Sequence, residues 1–330
     1  MKRLTFLVVA LAVLYSGYWF FGARAVEQGA RGAIENAQSQ GWQIDYASLN
    51  TIGFPSRFDT TVQDIAVASP DARWAWRGPF VQLFALSYQP HKVIAVLPPD
   101  HSLRWGQQDI LLSSDGLRAS AAVRPNPDLP LQNLTIEGGA IRAVSDLGLD
   151  IRVANLLGAV RAAGDAPQAY DVYVDLQEVA LPPGLLAQIA DQATLSDVID
   201  SVVVDGSVSL DRPLDRHFAT DGGTLPYPEQ ITVKSGTLNW GDLILKLDGT
   251  LDFDATGTPQ GRVTLRTGQW QKLITLMVDA GLMDQGAAPT LTILAGSMVG
   301  PDGSLDLPVT FQGGLMSIGP IPAGPAPRFW

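Results

Sequence analysis

The sequence predicts a β-rich α+β protein: an N-terminal transmembrane helix, then an extended, mostly antiparallel β-sheet body with a few packed amphipathic helices. Three observations predict it. Residues 4–21 form an unbroken uncharged run, LTFLVVALAVLYSGYWFF. Alternation of apolar and polar residues dominates the rest of the chain, which marks sheets with one covered face and one wet face. The 33 Gly and 23 Pro among 330 residues supply the turns that many strands need.

Leu4–Phe21 spans roughly 27 Å as a helix, close to the ~30 Å of a hydrocarbon core. Tyr15, Tyr18 and Trp19 gather at its far end, where aromatic rings favour the interface. Residues 1–23 therefore read as a signal anchor. Ala23-Arg24-Ala25 also fits an A-x-A processing site, so a cleaved signal peptide is the competing reading. Lys2 and Arg3 precede the run with no acid, and the charges after it balance. Positive-inside logic then gives a cytoplasmic N-terminus, a single pass through the inner membrane and a periplasmic body. Residues 24–41 come next as a helical stalk, with Val26, Ala30, Ala33, Ile34 and Ala37 at helical spacing and Gly41 as terminator.

The body, residues 42–330, with a subdivision near the Pro-rich stretch 125–130, reads as strand after strand. Strands are expected at 57–68, 80–88, 92–97, 109–113, 117–124, 133–144, 149–155, 170–181, 202–210, 231–240, 243–253, 262–266, 290–299 and 305–312. Asp115-Gly116, Asp205-Gly206, Asp248-Gly249 and Asp302-Gly303 signal turns or bulges. Residues 231–267 read as three strands in up-and-down order. Residues 183–201 read as one or two short helices, with Leu185, Leu186, Ile189 and Ala190 as a stripe and Thr194–Asp197 as a cap. Residues 269–284 carry the widest amphipathic stripe: Trp270, Leu273, Ile274, Met277, Val278, Gly281 and Leu282. That helix either covers one face of the sheet or forms a lid over an apolar groove.

Composition limits the chemistry. Apolar residues are 46% of the chain and charged residues 17%, too apolar for a disordered chain. A net charge of −11 argues against nucleic acid as a partner. There is no Cys, which removes thiol catalysis, disulfides and Cys-ligated metals. His91, His101 and His217 are scattered, so neither a metal centre nor a cofactor is expected. No G-x-S-x-G, P-loop or G-x-G-x-x-G motif occurs. Asp171 with Asp175, and Asp252 with Asp254, read as solvated strand faces rather than acid–base pairs. The chain therefore reads as a non-enzyme. Trp74 and Trp76 project on one side of a strand and are candidates for apolar contact with lipid or a protein partner. Trp270, Leu273 and Met277 are further candidates.

Three segments carry a family resemblance. Gly53-Phe54-Pro55-Ser56-Arg57 resembles a G-F-P-x-R motif, and Leu86-Ser87-Tyr88-Gln89-Pro90 resembles an L-x-Y-x-P element. Gly319-Pro320-Ile321-Pro322-Ala323-Gly324-Pro325-Ala326-Pro327 resembles a G-P-I-P-x-G-P-x-P tail. With the anchor, they make the chain similar to the bacterial family called domain of unknown function 2125, which has no assigned activity. From the residues themselves, Gly53 and Pro55 fix a tight approach to a strand, and Arg57 is expected to bond loop carbonyls. The Pro-rich tail is expected to lie extended along the body. The stretch LDGTLDFDATGTPQGRVTL is similar to AsmA-like envelope proteins, and that resemblance implies lipid handling at a membrane. The expected function is binding or handling of apolar envelope components such as lipid. The alternative is an adaptor that recruits another envelope protein.

Overall fold

The computed structural model describes residues 1–164, 166–186, 195–217, 226–281, 285–286 and 288–329. The chain divides into two compact units, one of residues 1–125 with 134–149, the other of residues 126–133 with 150–330.

The first unit opens with one continuous helix, α1 (Lys2–Ser39). The anchor and stalk expected from sequence are thus a single rod, long and apolar enough to cross a membrane. It closes where the Gly41 N–H bonds the Gln38 carbonyl. Strands β1 (Gln43–Asp45) and β2 (Ser48–Ile52) share one edge of β3 (Arg57–Ala68). On its other edge β3 pairs along its length with β4 (Trp74–Leu86). The far edge of β4 is divided in the same way. Its second half pairs with β5 (Gln89–Val96) and its first with β6 (Asp100–Trp105).

The long β7 (Gln108–Val123) then spans both, pairing with β6 and then with β5. Asp115-Gly116 lies at the junction between the two pairings. The strands expected at 109–113 and 117–124 are therefore one strand, and the Asp-Gly signal marks a break in its pairing rather than a turn. Most of β8 (Leu131–Ser145) belongs to this unit, tied to β7 by Arg118–Glu137 at 2.6 Å and by the Gln108 amide donating to Ser145 Oγ.

The second unit is an antiparallel meander in chain order: β9 (Asp150–Ala162), β10 (Ala169–Ala180), β11 (Val198–Leu210), β12 (Pro228–Trp240), β13 (Leu243–Phe253), β14 (Pro259–Thr267), β15 (Leu305–Gln312), β16 (Leu315–Ile318) and β17 (Ile321–Pro325). Each strand pairs with the next. The helices α2 (Trp270–Asp279) and α3 (Ala288–Met298) lie between β14 and β15. Ile274, Leu291, Ala295 and Leu305 form a buried cluster there, so both helices cover the sheet at the Leu305 end.

Four sequence expectations need correction. Residues 290–299 are helix, not strand. Leu291 and Ala295, one turn apart, both enter the core, and a short apolar run does not reveal its own period. The helix over 269–284 stops at Asp279, so Gly281 lies beyond its C-cap, while Leu282 is outside the described residues. The cap at Thr194–Asp197 does not start a helix: β11 begins at Val198, where the β-branched Val198 and Ile199 pair with Ala180 and Val179. Of the preceding stripe, Leu185 and Leu186 are helical as expected, and Ile189, Ala190 and Thr194 are outside the described residues. The Pro-rich tail is extended as expected, but as strand β17 paired to β16. Its Phe329 ring rests 5.3 Å from Phe253.

Candidate functional site

Two surfaces stand out, one in each unit. In the first unit, the C-terminal end of the apolar run of α1 is gripped by the loops that carry the G-F-P-x-R and L-x-Y-x-P segments. The Trp19 indole N–H donates to the Arg57 carbonyl at 2.8 Å, and its ring lies 6.1 Å from Phe58 and 5.5 Å from Phe54. Phe20 stacks on Phe54. The Tyr18 hydroxyl donates to the Ser87 carbonyl at 2.7 Å, and the Tyr15 hydroxyl shares a 3.1 Å hydrogen bond with Ser87 Oγ. Ser87 is fully buried, and Trp19, Ala23 and Phe58 form a buried cluster. Further along the helix, Glu27 accepts from the Thr51 N–H, and Arg31 donates to the Leu49 carbonyl.

Local geometry explains the motif. Arg57 N–H bonds the Gly53 carbonyl and closes the loop. Gly53 has φ +110°, and a Cβ there would meet the Arg57 carbonyl oxygen at 2.9 Å, so only glycine fits. The Phe54–Pro55 peptide is cis. The Arg57 guanidinium does not bond loop carbonyls as expected from sequence. It pairs with Asp59 at 2.9 Å, because Asp59 is one strand step along the same face and buried. Tyr88 is exposed in the β4–β5 turn, and Pro90 lies at the start of β5.

In the second unit, the register sorts the alternating residues into two unlike faces. One row crosses all nine strands through Val160, Val172, Gly206, Val233, Gly249, Val263, Val309, Ile318 and Ile321. The next row faces the other way and runs through Arg161, Asp171, Ser207, Thr232, Thr250, Arg262, Thr310 and Ser317. A third apolar row, Leu176, Val202, Leu238 and Leu245, lies on the first face. Eight strand spacings make the apolar face roughly 38 Å wide. Its valines and isoleucines are only half-buried, whereas Leu243, Leu273, Ile274 and Leu305 at the helix-covered end are buried.

The other candidates disperse. Trp74 meets Trp42 edge-on at 5.4 Å, and Trp76 lies 5.8 Å from the His101 ring. Both tryptophans are half-buried, and Trp105, paired with Trp74, is the exposed ring of that group. Trp270 packs on the buried α2–α3 cluster and Met277 is half-buried. Gly319 turns the chain between β16 and β17, where its N–H bonds the Pro308 carbonyl; Pro320 is next in the turn, and Pro322, Gly324 and Pro325 lie in β17.

Asp171 accepts from Arg161 and Lys234, both at 2.9 Å, and these hydrogen bonds hold its carboxyl below the usual range. Asp175 is bonded instead by the Gln177 amide. Asp252 accepts from Gln230, while Asp254 closes a turn with Thr256 and Thr258. Neither acid pair acts as a unit. His101 is buried with Nδ1 3.1 Å from the Pro98 carbonyl, and His217 sits in a loop beside Arg216. Among the described residues no group of three or more acids and histidines is placed to hold a metal. A cleft of about 890 Å³ in the first unit is lined by Asp45, Asp64 and Asp100 together with Arg77 and Arg142, a mixed-charge surface unlike the apolar face.

Sequence reasoning passed over Ser87 and Phe58 as helix-seating residues. Ser87 gives no signal in one sequence, and Phe58 merely continues an alternating strand. The single strands of the apolar face were legible, but their alignment into one surface was not.

No curated protein and no solved structure matches the chain. A family model described as "Uncharacterized protein conserved in bacteria (DUF2125)" matches residues 19–327. The match begins at Trp19, the residue that seats α1 on the strands, and ends within the Pro-rich tail. With nearly its whole length covered and its three signature segments placed at the helix seat and the terminal strands, the chain belongs to the bacterial DUF2125 family.

Proposed function

We propose that this is a membrane-anchored protein of the bacterial envelope that binds or handles apolar components such as lipid. The observation that carries the reading is the apolar face of the second unit. It crosses nine strands without a charged residue in its central row, and its side chains are covered only in part. A face of this breadth in water costs roughly 25 cal/mol for each Å² left exposed, so it calls for an apolar occupant. Acyl chains suit it because they ask for no hydrogen bonds, and the row offers none. Binding rather than catalysis is the corresponding proposal, as is placement of the body on the periplasmic side by the charge bias around α1. Trp74 and Trp76 serve an adaptor role less well, since Trp42 and His101 already occupy their faces.

Retention of α1 in the mature chain is part of the reading. Cleavage after Ala25 would remove Tyr15, Tyr18, Trp19 and Ala23, and would open the cluster around Phe58. A reporter active only in the periplasm, fused after Trp330, is expected to be active on a chain that stays with membranes at alkaline pH.

The lipid reading is tested by mass spectrometry of lipid carried by the detergent-extracted full chain. Val233→Asp places a charge on the apolar face, and Thr232→Asp places the same charge on the opposite face one residue away. Loss of lipid in the first with retention in the second, both folded by circular dichroism, is the expected result. Val233→Thr, nearly the same shape, serves if the Asp variant does not fold. Equal lipid content in all of these would sink the proposal.

A further inference from the structure

The loops that grip α1 do so below the end of its apolar run. Ser87 reaches Tyr15, which lies six residues before Phe21, or roughly 9 Å along the helix axis. The β4–β5 turn therefore sits beside the last apolar turns of the helix, not above them. The β2–β3 loop is level with it, through Phe54 on Phe20 and the Arg57 carbonyl on Trp19. No charged residue occurs in 46–56, and none occurs in 78–90. The large uncharged side chains these loops turn outward are apolar or aromatic, with Ile52 67% exposed, Phe54 52%, Leu86 37% and Tyr88 63%; the exposed Ser56 and the exposed Arg57 guanidinium, paired with Asp59, follow directly. The polar groups of the helix at this depth are satisfied inward, since the hydroxyls of Tyr15 and Tyr18 and the Trp19 indole all bond to Ser87 or Arg57, and the exposed Arg57 guanidinium is ion-paired with Asp59.

We infer that Ile52, Phe54, Leu86 and Tyr88 form a second membrane contact, a tip inserted into the outer interface of the same bilayer that α1 crosses. The inference rests on the reading of α1 as a membrane span. That reading fixes the occupant: at the depth of Tyr15 to Phe21 the surroundings of an exposed ring are lipid. Ile52, Phe54, Leu86 and Tyr88 supply buried apolar area of the kind that holds monotopic proteins at an interface. The G-F-P-x-R and L-x-Y-x-P segments then have one joint role, seating the helix on their inner side and meeting lipid on their outer side. The opposite end of the same sheet lies far from the bilayer. Strand β3 is 12 residues long, so its other end is roughly 36 Å away at about 3.3 Å per residue.

The chain contains no Cys, so single cysteines can be placed and labelled without background. The full chain, carrying Ile52→Cys, Tyr88→Cys, Leu11→Cys or Gln107→Cys with an environment-sensitive fluorophore, is reconstituted into phosphatidylethanolamine–phosphatidylglycerol vesicles. These are doped with a lipid bearing a nitroxide near the head of its acyl chain. Leu11 reports the span, and Gln107 reports the distal β6–β7 turn. Loss of emission at positions 11, 52 and 88 with none at 107 is the expected result. Quenching at 11 while 52 and 88 behave like 107 overturns the inserted tip and leaves the anchor standing. An unquenched label at 11 overturns the anchor, and the tip with it. Quenching at 107 equal to that at 52 and 88 overturns the tip by showing a sheet that lies flat on the membrane.

Discussion

The seating of α1 on the body can be read from two glycines in the same helix. Ala at Gly22 or Gly29 gains roughly 0.8–1.0 kcal/mol of helix propensity in either case. At Gly29 the new Cβ meets nothing within 4 Å, so the variant is expected to be more stable by about 1 kcal/mol. At Gly22 the new Cβ would stand 2.7 Å from Cζ of Phe58, a ring only 4% exposed and held between Trp19 and Ala23. Overpacking of this kind costs about 1–3 kcal/mol, which cancels or outweighs the propensity gain. The two variants should therefore differ by about 1–3 kcal/mol, Gly22→Ala being the weaker. The assay is urea unfolding of the full chain in mild detergent, monitored by tryptophan fluorescence, with midpoints compared at constant slope. If Gly22→Ala raises the midpoint as much as Gly29→Ala, α1 is not seated on Phe58. If neither variant moves it, the helix is not part of the mature folded unit.

Leu273, on the buried side of α2, is 6% exposed, so Leu273→Ala should cost about 2–5 kcal/mol, whereas Met277→Asp at a half-buried position should be milder. An unchanged thermal midpoint for Leu273→Ala would turn α2 from a packed cover into a lid. The Asp254 carboxyl is held at about 2 by the Thr258 N–H, then by the Thr256 hydroxyl, against an unfolded value near 3.8. Its contribution is present above pH 3.8 and lost as pH falls through about 2, so the gap between wild type and Asp254→Ala should shrink over that window. A gap that stays constant from pH 6 to pH 2 would contradict the assignment. Replacing His91, His101 and His217 together should leave complementing activity intact if the protein binds rather than catalyses. A loss with the fold preserved would reopen the case for an enzyme.

What could be read from the residues alone was whatever local periodicity and local chemistry dictate. An uncharged run of 18 residues can be satisfied in hydrocarbon only as a helix, whatever its neighbours in the chain. Alternation in 202–210, 243–253 and 305–312 arises from the pleat, which sends successive side chains to opposite faces, so these strands needed no knowledge of their neighbours. The Asp-Gly signals were legible as turns or bulges at Asp205-Gly206, where the register shifts between β11 and β12, and at Asp302-Gly303, which lies in a turn, but at Asp115-Gly116 the neighbouring strands decide and β7 runs on.

The tertiary structure decided whatever depends on a distant partner. Whether 290–299 was strand or helix turned on Leu291 and Ala295 meeting Ile274 and Leu305, contacts invisible in a short apolar run. Whether Trp74 and Trp76 were a free patch turned on Trp42 and His101. The helix seat joins Tyr15 to Ser87 across 72 residues and Trp19 to Arg57 across 38, and a serine or a carbonyl carries no mark of its partner. The apolar face depends on register in the same way. Each strand alone specifies which residues alternate, but a slip of one residue in any pairing would send its valines to the polar side. Only the hydrogen-bonded order of nine strands aligns Val160 with Ile321, and so turns separate alternations into one broad apolar surface.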